Sequence, residues 1–122
     1  MSTSVLVVDD EDLIRMNLVA FLEDEDFQIT CANSGEEALS LLQSNRFDVG
    51  IIDMRLPGIN GNELILQANS YCPEMKFLIH TGSTEYRLPQ GLRDIGIDDQ
   101  HVFHKPMVDM SELVTLLNAL TV

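Results

Sequence analysis

Long apolar runs are missing from this sequence. The longest are broken by Asp or Gly, and none approaches the roughly 20 residues that a membrane-spanning helix needs. Positive charge is scarce: seven Lys and Arg stand against twenty Asp and Glu, a formal net charge of −13. A surface this acidic repels phosphate backbones, which argues against direct nucleic-acid binding and suits cations or basic partner surfaces. For most of these acids the plainer role is to keep the protein soluble. Cysteine is limited to Cys31 and Cys72, with no C-x-x-C spacing and no secretory context, so free thiols are expected. The opening MSTSVLVVDDED has no basic leader, and its short apolar run ends in acids, which argues against a signal peptide. Repeats, low-complexity tracts and linkers are lacking too. The expectation is a cytoplasmic protein with no membrane contact, its 122 residues forming one domain over 1–122.

What is present is a regular alternation of strand and helix signals. Val5 to Asp10 is a continuous β-branched run, as a strand covered on both faces should be. Leu13, Ile14, Leu18, Phe21 and Leu22 come next at helical spacing. Phe27 to Ala32 reads as a second strand, and Ser34 with Glu37 as the capping box of a second helix. Phe47 to Asp53 is a third strand, ending before a Pro57-Gly58 turn and a helix from about Gly61. Lys76 to His80 and His101 to His104 give two more strands. Asp109 with Glu112 caps a last helix bearing Leu113, Leu117 and Leu120. Between Glu85 and Gln100, Pro89, Gly91 and Gly96 interrupt the fourth helix, so a short or irregular element is expected there. Alternating units of this kind predict a parallel sheet with helices on both faces.

In such a sheet, ligands bind outside the carboxyl ends of the strands. The first strand ends in Asp9-Asp10, the third in Asp53, the fourth in Thr81 and the fifth in Lys105-Pro106. Three carboxylates, a hydroxyl and an amine therefore collect at one rim. Clustered carboxylates need a cation, and oxygen ligands with open positions suit Mg²⁺. A carboxylate can also be the nucleophile in phosphoryl transfer, with positioning and charge neutralisation supplying the catalysis. Each piece alone has a plainer explanation. Asp9-Asp10 could be acids at a helix start, and Asp53 and Thr81-Gly82 could be turn residues. The specificity lies in their joint occurrence at four strand ends.

VLVVDDE, IIDMRLPGINGNEL, HTG and HKP, in this order and spacing, resemble the receiver domain of bacterial response regulators across essentially the whole chain. The resemblance implies a flavodoxin-like (βα)₅ fold with strand order 2-1-3-4-5. It implies Asp53 as the phosphorylated residue and Asp9 and Asp10 as the acidic pair serving Mg²⁺, with the Arg55 backbone carbonyl as a further metal ligand. Thr81 matches the switch hydroxyl, Lys105 the motif lysine, and the bond to Pro106 is cis in similar proteins. The implied phosphoryl donor is a histidine kinase or phosphotransfer protein, and the implied receiver of the signal a downstream protein or fused output domain. Such a protein is not an enzyme beyond its own phosphoryl transfer and slow self-dephosphorylation.

Several features depart from the family pattern. The aromatic expected three residues before the motif lysine is replaced by Val102, and Phe103 should face the opposite side of the sheet. The Thr81–Lys105 segment is about two residues longer than similar proteins lead one to expect. His80 and His104 are expected to point away from Thr81 and Lys105 and towards each other, as hydrogen-bonded residues rather than a zinc pair. Gly82 should leave the pocket open to a bulky donor, and Ser83 occupies a place where the family tunes self-dephosphorylation. The competing readings are a haloacid-dehalogenase-type phosphatase and a receiver-like module that is never phosphorylated. The first would use Asp10-Glu11-Asp12-Leu13, which fails its D-x-D-x-[TV] signature at Leu13. The second would call for a missing pocket residue.

Overall fold

The structure, a computed structural model, describes residues 3–105 and 110–121. Its elements run β1 (Ser4–Val8), α1 (Asp12–Asp24), β2 (Gln28–Ala32), α2 (Gly35–Ser44), β3 (Val49–Asp53), α3 (Gly61–Tyr71), β4 (Lys76–Thr81), α4 (Gln90–Asp94), a 3₁₀ turn (Asp99–His101), β5 (Val102–His104) and α5 (Ser111–Leu120). The strands form one parallel sheet in the order β2-β1-β3-β4-β5. This is the expected flavodoxin-like arrangement, with helices on both faces.

The strands read as unbroken apolar runs because both of their faces are covered. Leu6 and Val8 of β1, with Ile52 and Ile79, pack under α2, α3 and α4 against Leu42, Leu64, Ile65 and Leu92. The alternate residues Val5, Val7, Ile51 and Leu78 pack under α1 and α5 against Leu18, Leu22, Leu113 and Leu117. Alternation therefore sends Asp9 and Asp53 towards the α1–α5 side and Thr81 towards the other.

Local chemistry fixes the helix starts. The Ser34 hydroxyl accepts the Glu37 N–H at 3.1 Å, while the Glu37 carboxylate accepts from Asn33 N–H rather than from Ser34 itself. Asn60 caps α3, accepting the Glu63 N–H at 2.9 Å. The expected Asp109 cap of α5 and the Pro106 peptide bond lie outside the described residues. Gly61 lets α3 approach the end of β3: a Cβ there would collide with the Asp53 carbonyl and the Met54 side chain. Gly58, at φ 74°, supplies the left-handed turn after Pro57.

The fourth helix is indeed short. α4 has five residues, starts after Pro89 and ends before Gly96 at φ 102°. Leu92, fully buried, is its anchor. The 3₁₀ turn after it is closed by Asp98 and His101, each side chain accepting a backbone N–H of the other half of the turn.

Candidate functional site

At the carboxyl end of the sheet the strand-end residues converge as expected. Asp9, Asp53 and Thr81 are buried, whereas Asp10 and Glu11 are exposed. One oxygen from each of Asp9, Asp10, Glu11 and Asp53 can be chosen so that all lie within 4.8 Å of one another. Lys105 answers this negative charge. Its ammonium nitrogen lies 2.9 Å from Asp9 Oδ2, 2.9 Å from Glu11 Oε1 and 3.2 Å from Asp53 Oδ2. The Lys105 N–H donates to the Thr81 carbonyl at 2.8 Å, which ties the lysine to the end of β4.

The two carboxylates at the strand ends are also held by backbone. Asp9 Oδ1 accepts the Glu11 N–H at 2.9 Å, and Asp53 Oδ1 accepts the Arg55 N–H at 3.2 Å. Asp53 keeps Oδ2 for Lys105, so one oxygen is fixed and the other faces the rim. Burial pushes the Asp53 carboxyl up to about 6; the Arg55 N–H and the Lys105 charge pull the other way, and Asp9 adds to the rise. Burial alone would lower the Lys105 pKa, but the hydrogen bond to Glu11 and the nearby Asp9 and Asp53 carboxylates outweigh it and raise it. The amine therefore remains a cation throughout the physiological range.

Oxygen donors alone, with open rim positions, form a donor set of the kind that hard divalent cations take. Four carboxylates against one ammonium leave the pocket with uncompensated negative charge. On this donor chemistry the site fits Mg²⁺.

Two expectations about the histidines are corrected. β4 and β5 pair with Ile79 opposite Val102, His80 opposite Phe103 and Thr81 opposite His104. The histidines therefore lie one register step apart and on opposite faces, with His104 on Thr81's face. Neither ring nitrogen of His80 has a hydrogen-bond partner among the described residues. Burial, with help from the Lys105 charge, drops its pKa to about 4, so the ring is neutral near pH 7.

Phe103 packs on the α1–α5 side and Val102 on the α2–α4 side, as alternation requires. The structure adds an aromatic that sequence reasoning passed over. Tyr86, in the β4–α4 loop, packs against the same core as Val102 and donates its hydroxyl to Asn62 Oδ1 at 3.0 Å. Backbone links it to the rim. The Ser83 N–H donates to Thr81 Oγ1 at 3.1 Å, and the Tyr86 N–H to the Ser83 carbonyl at 3.5 Å. Glu11 was likewise passed over as a pocket residue, although its place directly after Asp9-Asp10 was the available signal. Asp12, the second acid of the alternative phosphatase signature, pairs with Arg15 at 2.6 Å and is absent from the acidic group. A Cβ at Gly82 would meet nothing within 4 Å, in keeping with an open rim.

Known proteins place this architecture in a family. Residues 5–118 match the response regulator receiver domain, and the chain belongs to that family, the signal-receiving module of two-component systems. Among curated relatives, the response regulator SaeR of Staphylococcus aureus is 30% identical over 118 residues, 97% of this chain and 50% of SaeR. The chain thus spans about half the length of that relative. Among solved structures, the response regulator TrrA of Thermotoga maritima, in complex with Mg²⁺ and BeF, is 30% identical with a TM-score of 0.81, the match covering 97% of this chain and 98% of that one. The chemotaxis protein CheY4 of Vibrio cholerae is 28% identical with a TM-score of 0.85, covering 98% of this chain and 99% of that one.

Proposed function

We propose that this chain, a single receiver domain over residues 1–122, accepts a phosphoryl group on Asp53 from a histidine kinase or phosphotransfer protein. The observation that carries the reading is the Lys105 ammonium seated between Asp9 and Asp53, beside the buried Thr81. Asp53 Oδ2 attacks phosphorus, the O–P bond forms as the N–P bond to the donor histidine breaks, and the imidazole leaves. Lys105 neutralises charge on the phosphoryl oxygens, and the Thr81 hydroxyl turns to donate to one of them. The Asp9, Asp10 and Asp53 carboxylates and the Arg55 backbone carbonyl would hold Mg²⁺, which supplies charge neutralisation during transfer. The domain acts on itself, with slow self-dephosphorylation, rather than turning over a free substrate.

The signal passes to a downstream protein or a fused output domain, in the cytoplasm and without direct nucleic-acid contact by this domain. Because an aromatic is lacking at position 102, coupling runs through rearrangement of the Thr81–Gln100 segment. Incubation with acetyl phosphate and Mg²⁺ tests the acceptor: wild type gains a phosphoryl group by intact mass and Asp53→Asn does not. Equal labelling of that variant would remove Asp53 from the role. Hydrogen exchange with and without beryllofluoride tests the coupling, and an unchanged 81–100 segment would sink it.

A further inference from the structure

The Lys105 ammonium donates a hydrogen bond to Glu11 Oε1 at 2.9 Å. It forms ion pairs with Asp9 at 2.9 Å and Asp53 at 3.2 Å, and Asp9 Oδ2 has no hydrogen-bond partner among the described residues. Three carboxylates thus surround the amine before any phosphoryl group arrives, and a phosphoryl oxygen on Asp53 competes with them for it.

The three carboxylates differ in how easily they give way. Asp53 is the acceptor itself. Asp9 is buried, and its other oxygen is tied to the Glu11 N–H. Glu11 has a side chain 56% exposed and sits just before α1 without capping that helix through its carboxylate. Among the described residues its carboxylate makes no other hydrogen bond. Water can replace a partner lost at an exposed site at little cost, so Glu11 is the contact that yields first. Its charge also stands within the same 4.8 Å group as the acceptor, where it repels an incoming phosphoryl group and attracts a cation.

We propose that Glu11 is a positioning residue of the phosphoryl pocket: it holds the Lys105 ammonium in the resting state and must release it for Lys105 to engage a phosphoryl group on Asp53. The consequences for two ligands have opposite sign. Glu11 disfavours the phosphorylated arrangement, both by holding the amine and by repelling charge, and it favours cation binding to the empty pocket. A purely structural role would move both affinities the same way. The inference rests on Asp53 being the acceptor.

The test compares wild type with Glu11→Gln, which keeps shape and removes charge, using Mg²⁺ alone and then beryllofluoride at saturating Mg²⁺. In Glu11→Gln, Mg²⁺ binding weakens and beryllofluoride binding tightens, each by about three- to fivefold, the scale of an exposed charge contact. Because the chain has only two lysines, Lys76 and Lys105, ¹⁵Nζ-lysine labelling of a Lys76→Arg background leaves Lys105 as the one lysine ammonium to observe. That signal broadens or shifts in resting Glu11→Gln and matches wild type once beryllofluoride is bound. Both affinities falling together, or neither moving while the wild type binds beryllofluoride, overturns the role of Glu11. Failure of the wild type itself to bind beryllofluoride strikes instead at Asp53 as acceptor, and this inference falls with it.

Discussion

The rim above β1 and β3 and the stretch joining β4 to β5 lie side by side and are held in different ways. At the rim, buried strand ends fix Asp9 and Asp53, backbone N–H groups hold one oxygen of each, and Lys105 bridges the others. Between Thr81 and Val102 the chain has a five-residue helix, a 3₁₀ turn and loops. Its attachments are a few apolar anchors, such as Leu88 and Leu92, and single hydrogen bonds such as Tyr86 to Asn62. The proposed receiving site is thus held by many contacts, and the proposed reporting segment by few, so that the latter opens at smaller cost.

The largest effect that would break this contrast is at Asp53. Asp53→Asn loses all labelling by acetyl phosphate. It also gains stability, and the sign comes from the raised pKa. The folded carboxyl titrates at about 6 against an ordinary 3.8, so its ionised form is penalised in the fold above about pH 6, and the penalty disappears below the unfolded value. Chemical denaturation should therefore find the variant more stable than wild type near pH 8 and equal to it near pH 3. A variant no more stable than wild type at high pH would contradict the burial penalty on the Asp53 carboxylate.

Next in size is the separation of the two regions. Thr81→Ala slows labelling by about 10²- to 10³-fold, the scale of losing one donor to a transition state. It nevertheless abolishes the beryllofluoride-induced change in hydrogen exchange over residues 82–100, since Ser83 is tied to the Thr81 hydroxyl. Loss of labelling and of response in equal measure would erase the distinction between reception and reporting.

A smaller effect sharpens the chemistry of the rim. The attacking Asp53 must be ionised, so the rate of labelling by acetyl phosphate at low Mg²⁺ falls as pH drops through about 6. Bound cation favours the carboxylate, so saturating Mg²⁺ should move this midpoint down. A rate that stays flat across that range at low Mg²⁺ would show that burial does not hold the proton on Asp53. The smallest effect lies in the loop. Tyr86→Phe removes one hydroxyl–amide hydrogen bond and costs about 0.5–1.5 kcal/mol. It leaves labelling unchanged while hydrogen exchange over residues 82–88 quickens. Exchange there at the wild-type rate would mean that Asn62 does not restrain the loop.

The alternation of strands and helices and the convergence of Asp9, Asp53, Thr81 and Lys105 were legible in the sequence, because both depend on period and position; the strand order followed only from the resemblance to receiver domains. Apolar runs mark strands, and the residues at the carboxyl end of each run form the rim. The failures came where a single residue of register decides. His80 and His104 were set facing each other on the assumption that strand ends align, but Ile79 pairs with Val102, and the offset puts them on opposite faces. Tyr86 was hidden because loop residues carry no periodicity; only the fold brings it to Asn62 and to the core beside Val102. Glu11 directly precedes α1, where an acid is commonplace, but its side chain turns to Lys105 instead of capping.

α4 carries one further consequence. A helix of five residues cannot offset its own nucleation cost, so it depends on the docking of Leu92 and of its neighbours Leu88, Ile95 and Ile97. On the proposed function, what an output partner would sense is a change in how often a short piece of chain opens, and a protease offered the native protein would read the same frequency as a rate of cutting.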